Sequence, residues 1–270
     1  MSARIRTALI ALPLFLAALF YLPQAGWALF LMLWMVVGAW EWAVLAKWPR
    51  WVCVAYGASV IAYGALLWAW VITPNDMRIA ILLYAVTLVF WLVIAPLWMG
   101  LGWRVLNPCL LALTGWILLL PLWLALVQLV QHPTQPGLLL ILMITIWISD
   151  TAAYLCGKRW GRRKLAASIS PGKTWEGVAG ALVGVSLYYV VIGVGFPTGH
   201  AVLSGATGMA VFLALAVLGV EGDLFESWIK RTAGAKDSGT ILPGHGGILY
   251  RVDALTSSMP AAALILAWYG

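Results

Sequence analysis

Charge is scarce in this chain: of its 270 residues only 9% are charged, and only nine are acidic. A water-soluble domain carries about a quarter charged residues, so this poverty excludes a soluble globular enzyme and a disordered chain alike. Cysteine is scarcer still. Cys53, Cys109 and Cys156 fall in separate apolar stretches without the close spacing of a metal cage, and they read as small buried hydrophobes. Strict alternation of apolar and polar residues is missing too, which disfavours a membrane β-barrel.

What is present is apolar: 64% of the residues, spread from end to end rather than gathered in one removable signal segment. A bilayer core of about 30 Å takes about 20 residues of helix, so this length holds at most about ten spans and leaves no room for a separate soluble domain. The 27 glycines, 13 prolines and 18 tryptophans suit membrane helices, where Gly permits close packing and Trp sits at the interfaces. The chain therefore reads as an all-α polytopic membrane protein. Nine spans are expected, near 7–22, 26–46, 51–72, 79–99, 107–131, 137–156, 177–196, 200–220 and 252–269.

With a cytoplasmic N-terminus, fifteen of the sixteen basic residues fall on the cytoplasmic side and only Arg78 lies outside, the skew that the positive-inside rule produces. The net charge of +7 is thus an orientation signal plus attraction to anionic lipid, and it does not argue for nucleic acid. Residues 1–136 form an N-terminal set of membrane helices, and 137–270 a catalytic membrane region with cytoplasmic loops at 157–176 and 221–251. Seven of the nine acids, Asp150, Glu176, Glu221, Asp223, Glu226, Asp237 and Asp253, lie in that second region. No internal repeat supports an inverted-repeat transporter.

Asp150 lies within a span, where an ionisable group is costly unless it is paired or faces a wet cavity. The run Lys158 to Lys164 reads by itself as a topogenic basic loop. Ser170-Pro171-Gly172-Lys173-Thr174 precedes a helix with Gly177, Gly180 and Gly184, and a helix N-terminus with a Lys beside it suits a phosphate, although an ordinary capped helix fits these residues equally well. It is not a Walker loop. Further on, a helix over 221–231 puts Asp223, Ser227, Lys230 and Arg231 on one face, with an intrahelical Glu226–Lys230 pair as the structural alternative. Lys236, Asp237, His245, Arg251 and Asp253 follow around a Gly-rich stretch. Carboxylates select Mg²⁺, and Lys and Arg select phosphates, while no Ser-His-Asp or Cys-His set is present. Metal-assisted phosphoryl or nucleotidyl transfer on a membrane lipid is the chemical class that follows.

The run from Ser227 to Asp253, with the 170–177 and 150–157 elements, resembles the phosphatidate cytidylyltransferases, or CDP-diacylglycerol synthases. The resemblance implies transfer of CMP from CTP to phosphatidic acid, releasing pyrophosphate, at a site facing the cytoplasm from a bacterial inner membrane. It implies Mg²⁺, with room for a second, monovalent cation such as K⁺, and a homodimer. It assigns Asp223, Asp237 and Asp253 to the metal. Ser170, Lys173, Thr174, Ser227, Lys230 and Arg231 go to the nucleotide and its phosphates, joined by Lys236 and Arg251, and His245 orients the Gly-rich loop or a phosphate. One position departs: Tyr250 stands where the signature has an acid implicated in holding the metal, and a phenol is a poor Mg²⁺ ligand, so reduced metal affinity and turnover are expected. Two other readings remain at this point, a CTP-dependent lipid kinase and a non-catalytic lipid-binding or transport protein.

Overall fold

The computed structural model describes residues 3–105, 107–130, 136–195, 201–239 and 246–269. Among these, long apolar helices follow one another with short connections. They are α1 (Ala3–Tyr21), α2 (Gln24–Leu45), α3 (Arg50–Leu67), α4 (Met77–Val89), α5 (Ala95–Gly100) and α6 (Pro108–Val130) in the N-terminal half. In the second half stand α7 (Gly137–Trp160), α8 (Trp175–Gly195), α9 (Gly205–Thr232) and α10 (Leu249–Tyr269). A wider π turn at Trp68–Ile72 extends α3, and another at Phe90–Ile94 joins α4 to α5 into one rod, Met77–Gly100. The protein is all-α and polytopic: seven of these segments are long and apolar enough to cross a membrane. Seven of the nine expected spans coincide with these segments, and the other two, 7–22 and 252–269, overlap α1 and α10.

Two regions expected to be loops are partly ordered. Residues 157–176 begin as the last turn of α7 and continue as a two-stranded antiparallel hairpin, β1 (Lys164–Ala166) and β2 (Ser170–Thr174), in register Lys164 to Thr174 and Ala166 to Ser170. The segment from 221 begins as helix, since α9 runs on to Thr232 and ends with Lys230 and Arg231 beside the negative end of its dipole.

The helices are joined by means suited to a medium without water. Buried tryptophans donate to main-chain carbonyls of facing helices: Trp27 to Leu126 at 3.1 Å, Trp123 to Ala28 at 2.9 Å, Trp42 to Leu111 at 2.8 Å and Trp91 to Thr256 at 3.1 Å. These rings serve as interhelical ties, a use beyond the interfacial one that composition suggests. Phe225 of α9 meets Phe90, Trp91 and Trp98 edge-on, at centroid distances of 5.4 to 5.6 Å. α10 therefore packs on α4 and α6 as well as on α9, which ties the two halves together.

The glycines of α8 face α7. A Cβ at Gly180 would strike the Cys156 side chain, one at Gly184 would come within 2.8 Å of Ala152, and one at Gly177 within 2.9 Å of the Ala153 carbonyl. Close approach of the two helices is what these glycines provide, as small residues do in membrane packing. Of the cysteines, Cys53 is buried and Cys156 half-buried, but Cys109 is exposed at the start of α6, unlike the expectation for it.

Candidate active site between the hairpin, α7, α9 and α10

The hairpin and four helices converge on one cavity of about 1000 Å³. α7 ends there and α8 begins there, while the last third of α9 and the first turns of α10 form the opposite wall. Asp150 lies ten residues before the end of α7 and Asp223 nine before the end of α9, roughly 15 Å and 13 Å along the axes at 1.5 Å per residue. The cavity thus penetrates to the depth at which an ionisable group needs a partner or water.

The hairpin delivers Lys173 into it. The Lys173 ammonium pairs with the Asp223 carboxylate at 2.8 Å and donates to the Val220 carbonyl at 3.1 Å. Two side chains hold the hairpin in place: the Glu176 carboxylate accepts the Arg162 and Arg163 N–H groups, and the Thr174 hydroxyl accepts the Gly177 N–H at 3.1 Å, capping α8. Arg231 donates to the Ile169 carbonyl at 3.4 Å, linking the hairpin turn to α9.

Beneath Lys173 three carboxylates gather. Ligand oxygens of Asp223, Glu226 and Asp253 all lie within 4.8 Å of one another. Two belong to α9 and one to α10. They can meet because Gly222 lets the helices touch, a Cβ there running into the Asp253 carbonyl. Ser227 donates to Asp223 at 3.5 Å from the next turn. Three hard oxygen donors in so small a space are the donor set that Mg²⁺ takes, so the residues fit the metal that the resemblance implies.

The structure places the expected residues unevenly. Asp150, Ser170, Lys173, Thr174, Ser227, Tyr250, Arg251, Asp223 and Asp253 line the cavity. Thr174 is itself buried as a cap. Lys230 does not line it: only 7% exposed, it pairs with Glu226 one turn away, so the structural alternative for that pair is the arrangement found. Asp237 is exposed and stands outside the carboxylate cluster, where Glu226 takes the third place. Lys236 is exposed at the end of α9, and His245 lies outside the described residues.

Tyr250 lies beside the acids, near enough to Asp223, Asp253 and Glu226 to feel their charge, and it also meets two cations, with the Lys230 ammonium 4.8 Å and the Arg251 guanidinium 5.0 Å from its ring centroid. A π face accepts cations as a carboxylate would, with far less charge. Lys158 and Lys164, which the sequence alone assigns to topology, also line the cavity.

A second, apolar cavity of about 340 Å³ adjoins the first. Phe15 of α1, Phe30 and Trp34 of α2, and Met143 of α7 contribute to its walls. Trp147, Arg251 and Leu255 line both cavities.

Fold and site together define a polytopic membrane protein with a cationic, carboxylate-bearing chamber, and its whole length fits one known family. The profile described as Cytidylyltransferase family matches residues 2–269, and the chain belongs to that family. It is 38% identical to the phosphatidate cytidylyltransferase of Pseudomonas aeruginosa over 98% of this chain and 97% of that one. Against the phosphatidate cytidylyltransferase of Haemophilus influenzae the identity is 31%, over 96% of each chain. The phosphatidate cytidylyltransferase of Brucella suis is 41% identical over 49% of this chain and 46% of that one.

Proposed function

We propose that this protein transfers CMP from CTP to phosphatidic acid, giving CDP-diacylglycerol and pyrophosphate for phospholipid biosynthesis. One observation carries the reading: the chamber of cations and carboxylates shares Trp147, Arg251 and Leu255 with an apolar cavity, so phosphate chemistry and acyl chains have adjoining compartments. The full-length likeness to two phosphatidate cytidylyltransferases points to the same substrates.

In the reaction, a phosphate oxygen of phosphatidic acid forms a bond to the α-phosphorus of CTP as the bond from that phosphorus to the β-phosphate oxygen breaks, and pyrophosphate leaves. The attacking group is already anionic, so no strong base is required; alignment and charge neutralisation are the catalyst's tasks. Lys173, Lys158 and Lys164 hold the triphosphate at the open, hairpin side, and Arg251 holds the lipid phosphate where the two cavities meet. Asp223, Glu226 and Asp253 would hold Mg²⁺, which when bound supplies positive charge against the triphosphate. Ser227 orients Asp223, and the Tyr250 ring offers its π face to the Lys230 and Arg251 cations. The site faces the cytoplasm of an inner membrane, in keeping with the basic residues around it.

CTP labelled at its α-phosphate, offered with phosphatidic acid and Mg²⁺ in mixed micelles, should put the label on the lipid and release pyrophosphate in equal amount. Release of labelled CDP would instead mean a lipid kinase, and lipid binding without any turnover a non-catalytic protein. Neither alternative draws support from the family match.

A further inference from the structure

Glu41 is a carboxylate only 2% exposed, set between Trp40 and Trp42 in α2, a helix with no other charged residue. A carboxylate persists in such a place only when its oxygens are used. Both are. One accepts the Ile248 N–H at 3.0 Å and the other the Leu249 N–H at 2.9 Å. These are donors that the start of α10 leaves without an intrahelical acceptor, and a negative group there also matches the positive end of the helix dipole. Gly246 and Gly247, just before α10, have no side chain with which to cap it.

Two glycines also crowd the carboxylate. A Cβ placed on Gly239 or on Gly247 would run into Glu41, so both residues approach it as only glycine can. Ser238, buried beside Gly247, has no hydrogen-bond partner for its hydroxyl among the described residues. Gly239 and Gly247 therefore converge on one side chain from about two hundred residues away.

We infer that Glu41 is a positioning residue for the reaction. It lines neither of the two cavities; through the main chain it fixes the first turn of α10 against α2, and its charge also lies within electrostatic reach of Glu226. Asp253 stands four residues beyond Leu249, one helical turn, with Tyr250 and Arg251 between. Where α10 starts thus decides how Asp253 meets Asp223 and Glu226, and where Arg251 stands between the two cavities. The kinetic half of this inference rests on the proposed CMP transfer; the structural half does not.

The test uses the full chain with Cys53, Cys109 and Cys156 replaced and Ser238→Cys introduced as a reporter. Glu41→Gln keeps one acceptor oxygen and presents an amide donor to the other N–H, whereas Glu41→Leu removes both acceptors at similar size. Maleimide labelling of the reporter thiol should be at least about tenfold faster in Glu41→Leu than in the parent, with Glu41→Gln between them. The turnover number per folded protein should fall about a hundredfold in Glu41→Leu and about tenfold in Glu41→Gln, in line with the loss of two or one charge-assisted bonds. Where the leucine variant does not fold, the glutamine variant carries both measurements. An unchanged turnover number per folded protein, whatever the yield or the labelling, overturns the proposal, because a purely structural pin lowers the amount of folded protein and not its rate. Were the parent itself unable to transfer CMP, the proposed reaction would fail, and reporter labelling alone would decide whether Glu41 pins the segment.

Discussion

Lys173 and Asp223 form an ion pair of 2.8 Å that joins the hairpin to α9, the lysine also donating to the Val220 carbonyl. The pair neutralises one of three clustered acids while leaving the lysine at the cavity wall. An incoming triphosphate and its metal would redistribute these partners, the cation going to the phosphate and the carboxylate to the metal. Lys173→Ala should therefore lower catalytic efficiency about ten- to a hundredfold, with a rise in the KM for CTP, since charge-assisted contacts to phosphate contribute about 1.5–3 kcal/mol. Arg231, which donates to the Ile169 carbonyl, should act through hairpin placement, and Arg231→Ala should cost less than Lys173→Ala in the same mixed-micelle assay.

Tyr250 offers a test of the departure from the family signature. Tyr250→Asp would remove the ring that meets Lys230 and Arg251 and put a fourth carboxylate near Asp223, Glu226 and Asp253. Turnover at limiting Mg²⁺ should rise about tenfold or more, with a lower Mg²⁺ requirement. Equal rates for the two proteins over a full Mg²⁺ titration would remove this position from the metal site and leave Asp223, Glu226 and Asp253 to hold it.

Glu226 and Asp237 can be told apart. Glu226→Gln takes a carboxylate from the cluster and leaves the buried Lys230 without its counter-ion, so both Mg²⁺ affinity and thermal stability should fall, the latter by about 3–5 kcal/mol. Asp237→Asn, exposed and outside the cluster, should leave the Mg²⁺ titration within about twofold of the parent. The reverse ranking would restore Asp237 as the metal residue.

Gly222 is where α9 and α10 touch. Gly222→Ala drives a methyl group into the Asp253 carbonyl and should separate the helices, at about 1–3 kcal/mol in stability and at least tenfold in turnover. Gly100→Ala, where a Cβ meets nothing within 4 Å, is the matched control and should change neither.

Membrane orientation is measured by thiol labelling. Single cysteines at Arg163 and at Lys236, both exposed, in a chain lacking its native three, should react only from the cytoplasmic side. Reaction of either from the outer face would reverse the proposed orientation.

The spans are legible because apolar runs about 20 residues long need no partner to be recognised, and seven of the nine expected meet helices long and apolar enough to cross a membrane. The hairpin is not, since β1 and β2 are short, polar, and held by the Glu176 bonds to residues 13 and 14 positions away. Asp223 is legible from its company of basic and hydroxyl residues on one helix face, and Asp253 from the resemblance to the family signature. Glu226 was read only as one half of a helical pair with Lys230, a reading that is correct and incomplete, because the third direction of the side chain depends on α10. Glu41 carried a usable signal, an acid within an apolar span, but its partners lie in the other half of the chain, and no local pattern connects them.

The shared wall of the two cavities has a consequence for traffic. A lipid whose tails occupy the compartment between α1, α2 and α10 while its headgroup reaches Arg251 keeps its hydrocarbon away from water throughout the reaction. Extracting a tail into solvent would cost about 0.8 kcal/mol for each methylene, so a catalyst that only borrows the headgroup avoids a barrier that grows with every carbon. Substrate and product can then exchange sideways with the bilayer while the water-soluble nucleotide and pyrophosphate come and go past the hairpin. The two kinds of cargo would then use different doors, and neither would have to wait for the other's path to clear.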